Sequence, residues 1–224
     1  MKKLTTNLLL TIFFFGTLTT SIIAQNETAG TYYLFAKVDD VLIDFKKVET
    51  TSDRKVLTGY SDRAPFPKDL LDTVREKTNQ LISKKLGVEA NMLYVQDKKG
   101  RDRVTQGMSI FPGMPLMNFK PAMRADDRKY YVKIYMDISP RSTFKSDLNK
   151  NRSKQKPKVD IRVTIKDRYG KKYFKNREVL KDFDALQSET RVTNRVKITN
   201  SEVLSPEEIV EMYVLGLEAV LFEK

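Results

Sequence analysis

Two stretches of strict alternation constrain this fold more than anything else in the chain. In residues 131–138, Val132, Ile134, Met136 and Ile138 alternate with Tyr131, Lys133, Tyr135 and Asp137. In residues 159–166, Val159, Ile161, Val163 and Ile165 alternate with Asp160, Arg162, Thr164 and Lys166. Successive side chains of a strand point to opposite faces, so each stretch reads as a strand with one apolar and one polar face. Half-polar strands belong to a sheet with a wet face. Antiparallel sheets allow that, and all-parallel sheets generally do not.

Other strands join these two. Residues 32–38 are rich in aromatic and β-branched residues. Residues 41–45 resume that character after Asp39-Asp40, which predicts a hairpin, the alternative being one long bent strand. Asp167-Arg168-Tyr169-Gly170 reads as a turn, with residues 171–180 returning antiparallel to 159–166. Residues 91–96 read as a strand, and residues 191–199 give a weaker one around Val196 and Ile198.

Two helices are expected. Leu70, Leu71, Val74, Leu81, Ile82 and Leu86 recur at helical spacing, with Pro65 and Pro67 at the entrance and Gly87 just past the end. Ser205-Pro206-Glu207-Glu208 places an N-cap serine, a first-turn proline and a glutamate at the third position, the pattern of a capping box. Ile209, Met212, Tyr213, Gly216, Leu217, Val220 and Leu221 then mark one face. Gly216 weakens a helix interior and implies close packing against the sheet. The order predicts an α+β, two-layer sandwich: a mostly antiparallel sheet covered on one face by two helices, in a single domain over residues 25–224.

Residues 1–24 read as a secretory signal peptide. Lys2 and Lys3 precede an apolar run over residues 8–15, and Ser21-Ile22-Ile23-Ala24 precedes Gln25. Ile22 stands where a small residue is usual. The competing reading is a retained anchor, because no charge falls between Lys3 and Glu27. The expected location is periplasmic or extracellular.

Composition narrows the chemistry. The chain has no cysteine, which removes disulfides, thiol nucleophiles, thiolate metal sites and a lipid-bearing lipobox cysteine. It has no histidine, which removes Ser-His-Asp and Cys-His arrangements and the commonest metal ligand. Carboxylate chemistry survives, but Asp39-Asp40 and Asp126-Asp127 sit at apparent turns, where aspartate is favoured anyway. No phosphate-cradling glycine motif is present. We therefore assign no catalytic residue, metal or cofactor.

The formal net charge is +12, and loss of Lys2 and Lys3 leaves +10. An exported basic protein meets anionic envelope polymers and headgroups rather than nucleic acid. Two segments are candidate contacts. Residues 101–128 lack a period, contain three prolines and two glycines, and carry Phe111, Met114, Met117 and Phe119; they read as a long apolar loop, either cover for the core or a partner surface. Residues 139–157 read as a polar loop bearing Lys150, Arg152, Lys154 and Lys156, with Lys145 and Lys158 flanking and Asp147 the opposing acid. The expected function is a non-catalytic envelope protein. It would bind an envelope protein or an anionic envelope polymer, with peripheral membrane contact through the same groups. The alternatives are a secreted carboxylate-dependent enzyme acting on a glycan and a carrier of an apolar ligand.

Overall fold

The structure is a computed structural model that describes residues 27–43, 66–101, 103–109, 119–147, 150–193 and 196–223; for Asp40, Lys68 and residues 142–147, 150–154, 188–193 and 196–201 it describes the backbone alone. The elements are β1 (Ala29–Val38), a 3-10 turn (Asp40–Leu42), α1 (Lys68–Leu86), β2 (Ala90–Met92), β3 (Gln106–Ser109), α2 (Phe119–Ala125), β4 (Tyr130–Asp147), β5 (Lys150–Asp167), β6 (Lys172–Leu180), β7 (Leu186–Thr193), β8 (Val196–Ser201) and α3 (Pro206–Phe222).

The sheet is mixed, which corrects the expectation of a mostly antiparallel one. Its main path runs β2-β1-β4-β5-β7-β8. β1 pairs in parallel with β2, β3 and β4, while β4, β5, β6, β7 and β8 pair antiparallel. Parallel neighbours need a long crossover, and the chain between β1 and β4 contains α1. The expected hairpin after β1 is also corrected: residues 40–42 form a 3-10 turn, and residues 44–45 lie outside the described set. β1 is buried on both faces, with Tyr33 and Phe35 on one and Leu34, Ala36 and Val38 on the other. That accounts for its near-continuous apolar run, the mark of a central parallel strand.

β4 and β5 form an unbroken ladder of eighteen residue pairs, from Tyr130↔Asp167 to Asp147↔Lys150. The polar stretch expected to be a loop is thus strand on both sides. β5 carries two partners along its other edge: β7 opposite residues 151–155 and β6 opposite residues 159–166. Pro157 falls between those two sets. A proline cannot donate to a ladder, so the branch point is where β5 tolerates one.

α1 and α3 cover one face, but α2 packs on the other, so the expected two-layer sandwich is not confirmed. Leu34, Ile134, Met136, Ile161 and Val163 meet Val74, Ile82, Met212, Leu217 and Val220 in the main core. α1 ends on Gly87 at φ 67°, whose N–H donates to the Ser83 carbonyl. α3 starts with the expected capping box: Glu208 N–H donates to Ser205 Oγ at 3.2 Å, and Ser205 N–H donates to Glu208 Oε2 at 2.7 Å. Tyr213 and Thr78 share a buried hydroxyl–hydroxyl bond at 2.5 Å, which joins α3 to α1. A Cβ on Gly216 would stand 2.9 Å from Val159 Cγ1, so glycine there lets α3 sit directly on β5.

The segment expected to be an aperiodic loop is partly regular, with β3 and α2 inside residues 101–128. α2 lies over the face opposite α1 and α3. There Phe119 and Ala122 pack with Tyr32, Tyr33, Phe35, Leu93, Val95 and Tyr131 in a second, smaller core. The second face is therefore dry beside β1 and polar further out.

Candidate functional site: a cationic sheet face

The second core is rimmed by cations. Lys133 Nζ lies 5.0 Å from the centre of the Tyr33 ring, Lys166 Nζ 4.8 Å from Phe119, and the Arg162 guanidinium 5.9 Å from Tyr135. Such contacts stabilise by about 0.5–1 kcal/mol each at exposed sites. The rings brace one another: Phe119 meets Tyr131 edge-on at 5.1 Å, and Phe35 stacks on Tyr135 at 5.9 Å. Tyr131 Oη donates to the Asp126 carbonyl at 2.7 Å and accepts from Arg128 N–H at 3.0 Å, tying the end of α2 to β4. Burial pushes the Tyr33 phenol up to about 12, helped by Tyr135, and pushes Tyr32 to about 12 as well. The Lys133 ammonium is held below the ordinary lysine range by burial and by the like charge of Lys166.

Two acids on this face, Asp160 and Asp137, are engaged. Asp160 takes Arg177 at 2.6 Å and Arg162 at 3.3 Å. Burial opposes its ionisation, but hydrogen bonds from Arg177 and Arg162 outweigh that and hold its carboxyl below the usual range. Asp137 pairs with Lys37 at 3.6 Å. Lys133, Lys156, Lys158, Lys166 and Lys175 have no carboxylate partner among the described residues.

Further along the ribbon, register sorts charge by face. The parity of β5 that carries Asp160, Arg162 and Lys166 continues through Lys158, Lys156, Lys154, Arg152 and Lys150. The matching parity of β4 continues through Ser139, Arg141, Thr143, Lys145 and Asp147. The opposite parity, which carries the main core nearer β1, holds Pro157, Gln155, Ser153 and Asn151 in β5 and Pro140, Ser142, Phe144 and Ser146 in β4. Every charged residue of this stretch sits at a position of one face, and seven of those eight are cations. Where the side chains are described, Arg141 and Lys156 are exposed and Lys158 is half-buried.

The expected contact residues separate. Lys150, Arg152, Lys154 and Lys156 share one face at every second position of β5. Phe119 is 7 % exposed and opens α2 as part of the second core, which is core cover, one of the two roles its segment left open. Phe111, Met114 and Met117 lie outside the described residues. Arg141, Lys133, Arg162 and Lys166, none of them an expected contact, belong to the same surface. The signal was available: cations at every second position from Lys150 to Lys158 are an alternation of charge, and a search for alternating apolar residues passes over it.

The described residues also form two grooves. One, of about 510 Å³, is lined by Tyr94, Gln96, Asp97, Lys98, Pro121 and Arg124. Hydrogen bonds from Arg101 lower its Asp97 to about 2. The other, of about 290 Å³, lies beside α3 and includes Asp182, Asp184, Glu208 and Glu211 with Phe183 and Leu215. Among the described residues no three acids cluster so as to hold a metal ion.

No family model matches this chain, and no curated protein matches it. Among solved structures, a crystal structure presented as a neuraminyllactose-binding hemagglutinin homolog from Helicobacter pylori is similar over 87% of this chain and 78% of that one, with a TM-score of 0.34 and 5% identity. A likeness that loose carries no argument about fold or function.

Proposed function

We propose that this chain is an exported, non-catalytic protein of the cell envelope that binds an anionic envelope partner through the cationic face of β4 and β5. The observation that carries the reading is the sorting of charge: strand register puts Lys150, Arg152, Lys154, Lys156 and Lys158 in one row and leaves the opposite positions uncharged. A basic protein whose charge only aids solubility has no reason to segregate it. Concentrated on one face, the cations raise the local potential and draw in a polyanion. The non-catalytic part rests on the absence of histidine and cysteine and on the pairing of Asp137 and Asp160 with cations. Among the described residues no helix is long and apolar enough to cross a membrane. Export rests on residues 1–24, and the segment with Phe111, Met114 and Met117 offers a second, apolar contact.

The test is cosedimentation of the mature protein with isolated envelopes. Replacing Lys150, Arg152, Lys154 and Lys156 by Gln should abolish a bound fraction that added salt also releases. Equal binding of that variant and the wild type would defeat the reading. N-terminal sequencing of the secreted product should start near Gln25; an intact Met1 on a membrane-bound product would refute export by cleavage.

A further inference from the structure

The shape of the charged surface narrows its ligand. Same-face positions along a strand repeat at about 6.6–6.8 Å, so the five cations from Lys150 to Lys158 form a row about 27 Å long. The row is narrow. On its β4 side, Arg141 stands opposite Lys156 and Lys145 opposite Arg152, with Ser139, Thr143 and Asp147 at the other positions. Beyond β4 the ladder to β1 stops at Ile138, so among the described residues no further strand widens the surface there. On its β7 side, Gln187 stands opposite Lys154 and the acid Glu189 opposite Arg152. Arg191 shares that parity at the outer end of β7, and in β8 Asn200 stands opposite Glu189 and Ile198 opposite Arg191. Strands lie about 4.8 Å apart, so from Arg152 to Lys158 the positive surface is two strands wide and longer than it is wide. At its inner end the row meets Asp160, which Arg162 and Arg177 clamp.

We propose that this face takes a linear polyanion lying along β5, with phosphate, sulfate or carboxylate groups repeating along an extended chain. The inference rests on the cationic-face reading and adds the shape of the ligand. A flat anionic bilayer meets cations spread in two dimensions, whereas here Gln187 and the acid Glu189 flank Lys154 and Arg152 on the β7 side, and Arg191 is the single cation of that side. A single small anion engages one or two exposed lysines, and such isolated contacts are worth little once salt screens them. A chain that follows the row engages all five and releases its condensed counterions together, which makes binding both length-dependent and steeply salt-dependent.

The experiment titrates the mature protein with two length-graded series, inorganic polyphosphate and heparin oligosaccharides, and with vesicles of anionic phospholipid, all at one ionic strength. Affinity should rise with chain length up to a span of about 27 Å and then level off when expressed per site. The better series identifies which anionic group the face prefers. The variant with Lys150, Arg152, Lys154 and Lys156 replaced by Gln should lose at least about tenfold in affinity and flatten the salt dependence. Replacing Lys98 and Arg124 by Gln, on the separate groove, should change neither, and thermal melts of both variants confirm that they fold. Affinity independent of chain length, or vesicles bound more tightly than either polymer, would overturn the linear-polyanion inference. If the Gln variant then still loses vesicle binding, the cationic-face reading survives; if it loses nothing, both fall.

Discussion

The two faces of the β4–β5 ribbon share one backbone and do opposite work. On one, Val132, Ile134, Met136, Ile138, Val159, Ile161, Val163 and Ile165 are fully buried under α1 and α3. On the other, Lys133, Arg162 and Lys166 rest over aromatic rings, and the row continues outward as cations alone. The first face is assembled by excluding water, and each side chain there is held by its neighbours. The second carries lysines, Lys133 and Lys166 among them, that have no carboxylate partner among the described residues. Stability should therefore reside on the first face and binding on the second, and substitutions can separate them.

The largest expected effect is on the dry face. Ile161→Ala removes a fully buried side chain beneath Gly216 and should cost about 2–5 kcal/mol in chemical denaturation. A loss under 1 kcal/mol would mean that α3 does not depend on this face. Tyr213→Phe removes the shared bond with Thr78, whose hydroxyl still donates to the Val74 carbonyl at 2.7 Å. Its cost should be about 1 kcal/mol. The four-residue Gln variant of β5 should change stability by no more than about 0.5 kcal/mol while losing polyanion binding. If it unfolds the protein instead, the two faces are not separable.

Two titrations sharpen the contrast at the boundary between the faces. The Asp160 carboxyl is held down in the folded state, so it contributes stability above its unfolded range and loses it as pH falls through the folded value. Asp160→Asn should therefore melt below wild type at neutral pH and match it in strong acid. It should also bind polyanion more tightly, because two arginines are released onto the face. Lys133 carries the opposite sign. Its folded value lies below the unfolded one, so its charge opposes folding at neutral pH, and that penalty fades as pH rises towards the ordinary lysine range. Lys133→Met should be slightly more stable than wild type near pH 7, with the gap closing at alkaline pH. A gap that widens would place the cause elsewhere.

Much of the helix-covered face was legible in advance. The apolar stripe of residues 70–86, the capping box at Ser205 and the alternations of 131–138 and 159–166 are local patterns, and the structure keeps all of them. The close approach of α3 at Gly216 was likewise readable from a glycine in a helix interior. The candidate site was half legible. The cations at 150–156 stand out in the sequence but read as a loop, because Lys, Ser, Asn and Gln are poor indicators of strand. Their pairing with 141–147 extends a ladder already begun at Tyr130, and extension needs no local preference once the register is set.

Residue order therefore determined the local elements and the alternation of charge, since helical and strand periods are properties of neighbouring positions. Three things needed the tertiary structure: the parallel pairing of β1 with β4, the second core beneath α2, and the alignment of the cationic row with Lys133 and Arg141 across the ladder to β4. Each depends on which distant segments meet. A central strand buried on both faces reads only as an apolar run, and periodicity alone says nothing about its neighbours.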